Sequence, residues 1–167
     1  MTMKLLLSFK SCTKGAAAAE MALVTPLLVA IMFGAFEAGN FFWSQHVVSK
    51  AVRDGARFAG RRPLTDYADS TCVPVTGVIT DTRNVTRTGR VTAGTPRIGG
   101  WTADTTVTVT AVCSSGTTGG IYRNEVGGAP VVTVSATVPY NSLFGLLGFN
   151  TTGLSMEADA QASVMGF

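Results

Sequence analysis

Residues 14–37 read KGAAAAEMALVTPLLVAIMFGAFE, and this run decides the architecture. Lys14 meets Gly15, and Glu20 then stands at the head of an apolar stretch that carries no charge from residue 21 to residue 36. Between residues 16 and 43 only Glu20, Glu37 and a few small polar side chains interrupt it. As a helix rising ~1.5 Å per residue, these about 28 residues span roughly 42 Å, enough to cross a ~30 Å hydrocarbon core. An ionisable side chain inside such a span costs about 2.5–3.5 kcal/mol on insertion scales, which makes Glu20 a functional candidate. The alternative is a glutamate solvated at the headgroup level.

A cleaved secretory signal fits this pattern less well than a retained membrane helix. Such signals have an apolar stretch of roughly 7–15 residues followed by a small-residue cleavage site. Here the alanine block, residues 16–19, precedes the apolar run, and the large Phe41, Phe42 and Trp43 follow it.

Beyond the run, Val48, Ala51, Val52, Gly55, Ala56 and Ala59 recur at the spacing of an amphipathic helix, with Lys50, Arg53, Asp54 and Arg57 opposite. No loop composition separates the two patterns, so one helix over about residues 16–60 is expected. Pro26 predicts a mild kink of the kind membrane helices tolerate. The stripe consists of Ala, Gly and Val, which suits association with another helix better than a wide globular core. The other option, a basic helix lying on anionic headgroups, is disfavoured because Asp54 interrupts the basic face.

Gly15, the run Glu20-Met21-Ala22-Leu23-Val24-Thr25-Pro26-Leu27-Leu28, the segment Gly34-Ala35-Phe36-Glu37-Ala38-Gly39 and the helix end Ala51-Val52-Arg53-Asp54-Gly55-Ala56-Arg57-Phe58-Ala59 together resemble the TadE-like pseudopilin family. That family belongs to the tight-adherence (Flp-type) branch of the type IV pilus machinery. Met21 departs from it, since phenylalanine more often follows the acid there. The resemblance implies a leader over residues 1–15, cut by a membrane-embedded prepilin peptidase between Gly15 and Ala16. It also implies that Glu20, the fifth mature residue, neutralises the new α-amino group of a neighbouring subunit. Glu37 lies seventeen residues later, about 260° around the helix and roughly 25 Å along it, so the two acids cannot share one site. Spacing alone leaves Glu37 open to a polar contact with a partner helix or to interfacial hydration. The resemblance favours the partner. Other pilin or pseudopilin subunits, the pilus assembly platform and membrane lipid are the further partners implied.

The chain has 167 residues, with 13 Lys and Arg against 10 Asp and Glu, a net charge of +3. Lys4, Lys10 and Lys14 lie in the leader, so the processed chain would be formally neutral, which removes the main support for nucleic-acid binding. The positive-inside count does not orient the span, because Lys50, Arg53, Arg57, Arg61 and Arg62 flank its far end. Orientation rests on the leader resemblance and the cysteines.

After Arg62, threonine, valine and glycine dominate and period two replaces period 3.6. Val107, Val109, Ala111 and Cys113 share one strand face, and Val132, Val134, Ala136, Val138 and Tyr140 another. Leu154, Met156, Ala158, Ala160, Ala162 and Val164 mark a terminal strand, and a weaker strand is expected over residues 73–79. Glycine pairs at residues 99–100, 119–120 and 127–128 read as turns. The expected fold is α+β: a long transmembrane helix over residues 16–60, then an antiparallel β-rich exported domain over residues 61–167.

On the exported side, Cys72 and Cys113 read as a disulfide, with Cys12 left in the leader. Closing that loop of roughly 40 residues would stabilise the domain by up to roughly 4 kcal/mol. Two free, buried thiols are the alternative if the orientation is reversed. No zinc ligand set is present, because the cysteines are far apart and no histidine accompanies them.

Catalytic chemistry finds little purchase. His46 is the single histidine, and a structural or interfacial role suits it, with no activated nucleophile nearby. Asp66 and Asp69 flank Tyr67 and are too few for a calcium loop. The glycine pairs lack the lysine and helix of a phosphate cradle. Asn84 and Asn150 head sequons of low specificity. Residues 142–149, SLFGLLGF, are too short to span a membrane and are expected to cover the sheet, or else to touch another subunit.

The expectation is a minor pseudopilin: a structural component of a tight-adherence pilus, neither enzyme nor cofactor protein. It would sit in the inner membrane by a single pass, with its C-terminal domain in the periplasm. The second possibility is a membrane-anchored, adhesin-like binding module that never enters a fibre.

Overall fold

A computed structural model describes residues 13–68, 70–117, 119–146, 148 and 153–166. The leader residues Lys4, Lys10 and Cys12, together with Asp69, Phe149 and the Asn150 sequon, lie outside this set.

Helix α1 runs from Thr13 to Gly60. It passes through Pro26, whose ring removes one backbone donor. The carbonyl left without its intrahelical donor is that of Ala22, and one residue earlier the Thr25 hydroxyl donates to the Met21 carbonyl at 2.7 Å. The chain divides into two compact units, Met1–Gly39 and Asn40–Phe167. The part of α1 from Asn40 to Gly60 is therefore part of the folded domain.

That domain continues with helix α2 (Thr76–Thr88) and the strands β1 (Val107–Ser114), β2 (Ala129–Pro139) and β3 (Ser155–Ser163), with a one-turn helix, α3 (Leu143–Leu146), between the last two. The strands form one antiparallel sheet in the order β1-β2-β3. Register places Val109 opposite Val134 and Val134 opposite Ala160, so the alternating apolar positions fall on one face. Against that face lie Val48, Ala51, Val52, Ala56 and Ala59 of α1, all buried with Val107, Val132, Val138, Met156 and Val164 in a single core. The architecture is α+β.

Three expectations change here. The small-residue stripe of α1 packs on its own sheet and on α2, not on a foreign helix. A Cβ on Gly55 would run into the Thr86 side chain, and one on Gly60 would stand 2.9 Å from the Ser163 carbonyl oxygen. The close approach that small residues permit is consumed inside the chain.

The strand expected over residues 73–79 is largely the first turn of α2. Val78, Thr82 and Thr86 are its buried positions, a helical i, i+4, i+8 stripe in which threonine stands where apolar residues are usual. The Thr86 hydroxyl escapes the cost of burial by donating to the Thr82 carbonyl at 2.8 Å. Gly89 ends the helix at φ 77°, its N–H bonded to the Val85 carbonyl. Of the expected strand only Pro74 pairs, in an isolated bridge with Tyr67.

Leu154 also departs from its expected inward place. It precedes β3, is exposed, and gives its carbonyl to the Tyr140 N–H at 2.9 Å.

Candidate functional site

Along residues 13–39 the features of interest belong to one helix. Gly15 and Ala16 lie at the beginning of the described part of this helix. Glu20 lies four residues after Ala16, so both sit on one face a turn apart, and Glu20 is exposed. Around it Met21, Leu23, Leu27, Leu28, Ile31 and Phe36 are exposed as well. A helix that is apolar on every side is stable only in a core or in lipid. None of this helix's apolar window is covered by the rest of the described chain, and by length and composition it can cross a membrane. Glu37 near its far end is half-buried. The two acids are thus on one element but not in one cluster.

At Asn40 the folded domain begins. Its side-chain amide donates to the Tyr140 hydroxyl at 2.9 Å and to the Asn141 carbonyl at 3.2 Å. The rings of Phe41 and Tyr140 meet edge to face with centroids 5.2 Å apart. Phe42, Trp43 and His46 are exposed, whereas Gln45 reaches across to the Glu157 carbonyl at 2.8 Å. No pattern in the sequence pointed to these contacts, because the residues that meet are about a hundred apart.

Asp54, which breaks the basic face of α1, pairs with Arg97 at 2.8 Å, and Arg97 also reaches the Val85 carbonyl at the end of α2. Arg87 pairs with Asp104, and Arg62 with Asp66. Lys50, Arg53 and Arg57 remain on the solvent side. Asn84, the first sequon residue, spends its amide on the Val91 carbonyl. A disulfide joins Cys72 to Cys113, with Cα atoms 5.3 Å apart. Cys72 is buried and sits at φ 56°, a left-handed conformation that costs a side-chain-bearing residue about 1–2 kcal/mol. Its N–H bonds the Ala68 carbonyl at 2.7 Å, which helps to hold it there.

Among the described residues no three His, Cys, Asp or Glu side chains gather where a metal could be held. One shallow depression, bordered by Thr105, Thr137, Pro139 and Leu154, bears hydroxyls and apolar groups but no acid or base. The shifted titration of Tyr67 is structural in origin. Its phenol is buried and donates to the Ala59 carbonyl at 2.8 Å. Burial above all, and then the Asp66 carboxylate, push its pKa up to about 12 against the opposing pull of Arg62.

These features define an α+β protein whose exposed N-terminal helix is long and apolar enough to cross a membrane and carries the acid Glu20. Residues 15–57 match the family model described as TadE-like protein, so the chain carries a TadE-like segment over the residues from Gly15 to Arg57. That match takes in the apolar run and most of the part of α1 packed in the domain. The comparison with curated proteins found no match, and neither did the comparison with solved structures.

Proposed function

We propose that the protein is a minor pseudopilin of a tight-adherence pilus, a structural subunit without chemistry of its own. The observation that carries this reading is the uncovered apolar helix with Glu20 four residues after Ala16, inside the segment that matches TadE-like protein. In this reading the prepilin peptidase cuts between Gly15 and Ala16. The helix stays in the inner membrane, and the domain faces the periplasm, where oxidising conditions suit the Cys72–Cys113 bond. Glu20 meets the amine of a neighbouring subunit, which offsets the cost of holding a carboxylate in lipid. Glu37 makes a polar contact with a partner helix. Other pilin subunits and the assembly platform are the partners.

Intact-mass measurement of protein from native membranes tests the processing, and Met1 retained in the accumulated protein would sink it. Glu20→Gln should insert and be processed normally but assemble poorly, because removing the charge only eases membrane entry. Glu37→Gln should reduce co-purification of the other subunits. Unchanged assembly and recovery in both variants would remove the assembly role.

The second reading, an anchored binding module outside any fibre, draws on the solvent face of the sheet, where Thr108, Thr110, Glu157, Asp159 and Gln161 are exposed. A retained leader and a monomeric protein would favour it.

A further inference from the structure

The folded unit carries opposite charge on its two faces. In the part of α1 from Asn40 to Gly60, Val48, Val52 and Ala59 are buried in the core against the sheet. On the other side His46, Lys50, Arg53 and Arg57 are exposed and follow one another at steps of four, three and four residues. At 100° per residue they keep within an arc of about 60° and form a stripe roughly 16 Å long, with three cations and no acid. Asp54 lies outside that arc and is engaged by Arg97 at 2.8 Å. On the far face of the sheet the outward positions of β3 include Glu157, Asp159 and Gln161, all exposed. Gln45 bonds only the backbone carbonyl of Glu157, and the carboxylate stays exposed. Register puts Glu157 beside Thr137 and Asp159 beside Ser135 of β2. These four residues, with Thr133, border a shallow trough that bears carboxylates and hydroxyls but no base. Lys50, Arg53, Arg57, Glu157 and Asp159 form no ion pair with any described residue.

We infer that the cationic stripe of one copy docks on the acidic trough of a second copy of this chain, front to back. The two surfaces face away from each other within one chain, so they meet only between chains. The argument for this occupant is charge complementarity at matching spacing. Arg53 and Arg57 stand one helical turn apart, ~6 Å along the axis, and Glu157 and Asp159, two residues apart on one strand face, are ~7 Å apart. Guanidinium forks suit carboxylates, and the hydroxyls of Ser135 and Thr137 beside them offer acceptors for the remaining N–H groups. Each copy keeps one surface free when the other is used. The contact is therefore heterologous and repeats from copy to copy instead of closing as a two-fold dimer. Exposed ion pairs are individually weak and screened by salt, so the association is salt-sensitive. It goes beyond the pilus role proposed above and depends neither on leader cleavage nor on what surrounds the apolar helix.

The test uses the full chain in detergent at low ionic strength, with a tagged copy capturing an untagged copy of the same variant. Arg53→Glu with Arg57→Glu puts acids on both sides of the contact, and Glu157→Lys with Asp159→Lys puts bases on both. Each double variant should lower recovery of the untagged copy about fivefold or more, as added salt should for the wild type. All four substitutions in one chain reverse both surfaces and should restore recovery, which also shows that the substituted chains fold. Mixing the two double variants should restore it as well. Loss in the helix variant alone would assign the stripe to a different acidic surface and overturn the second copy as its occupant. The front-to-back contact is likewise overturned by undiminished recovery in both double variants, by no recovery of the wild type, or by no rescue in either the combined chain or the mixture.

Discussion

Two stretches of α1 use the same small residues to opposite ends. Over residues 13–39, Gly15, Gly34 and Gly39 have nothing within 4 Å of where a Cβ would stand, and the alanines between Gly15 and Glu20 are exposed. Over residues 40–60, Ala51, Gly55, Ala56, Ala59 and Gly60 are all buried against the chain's own sheet and α2. Residue type does not separate the two. The opposite face does: Lys50, Arg53 and Arg57 give the second stretch a side that must stay in water, so its small residues can be covered from one direction by a domain. The first stretch has no such side between residues 21 and 36, and only an apolar medium or other helices can surround it.

Removing the crosslink should separate the stretches most. Cys72→Ser with Cys113→Ser is expected to destabilise the domain by about 2–4 kcal/mol while helicity of the apolar stretch persists. Loss of near-ultraviolet dichroism at lower denaturant, with far-ultraviolet helix signal retained, would show it; coincident melting of both signals would mean that the two stretches are not independent. A smaller effect is expected from paired glycine substitutions. Gly55→Val must displace Thr86 and should cost the domain about 1–3 kcal/mol, whereas Gly34→Val meets open space and should leave its stability unchanged. Equal melting temperatures for the two variants would erase the contrast.

Much of this fold is legible in the sequence where a single period rules. The strand alternation over residues 107–113 and 132–140 puts the apolar side chains on the buried face, because a half-buried sheet offers them no other place. The one long helix is legible for the same reason. Helix α2 is not, because Thr82 and Thr86 take the buried positions and read as polar. The small-residue stripe announces a close approach without saying to what, and only the folded chain supplies Thr86 and Ser163. For the candidate site, sequence places Glu20 and Glu37 on different faces of an apolar helix. It carries no signal for the bond from Asn40 to Tyr140.

The smallest effect is expected where the packed stretch of α1 ends. A helix finishes with carbonyls that its own backbone cannot fill, and there the Tyr67 hydroxyl donates to the Ala59 carbonyl, which also accepts from the Arg62 N–H at 3.0 Å. Tyr67→Phe keeps the ring in the core and leaves that second donor in place, so it should cost about 1 kcal/mol near neutral pH. The same residue gives the domain a pH dependence. An unfolded tyrosine loses its proton near the ordinary value of 10, but in the fold burial and Asp66 hold the proton until about pH 12. Between those values the folded state binds more protons than the unfolded one, so stability falls as pH rises through that window and is unaffected by this group below it. The phenylalanine variant has no proton to lose at this position and should show a shallower decline. Denaturant midpoints measured for both proteins from pH 9 to pH 12 check this. Parallel curves would mean that Tyr67 contributes packing alone and that its hydroxyl is no special fastening for the end of the helix.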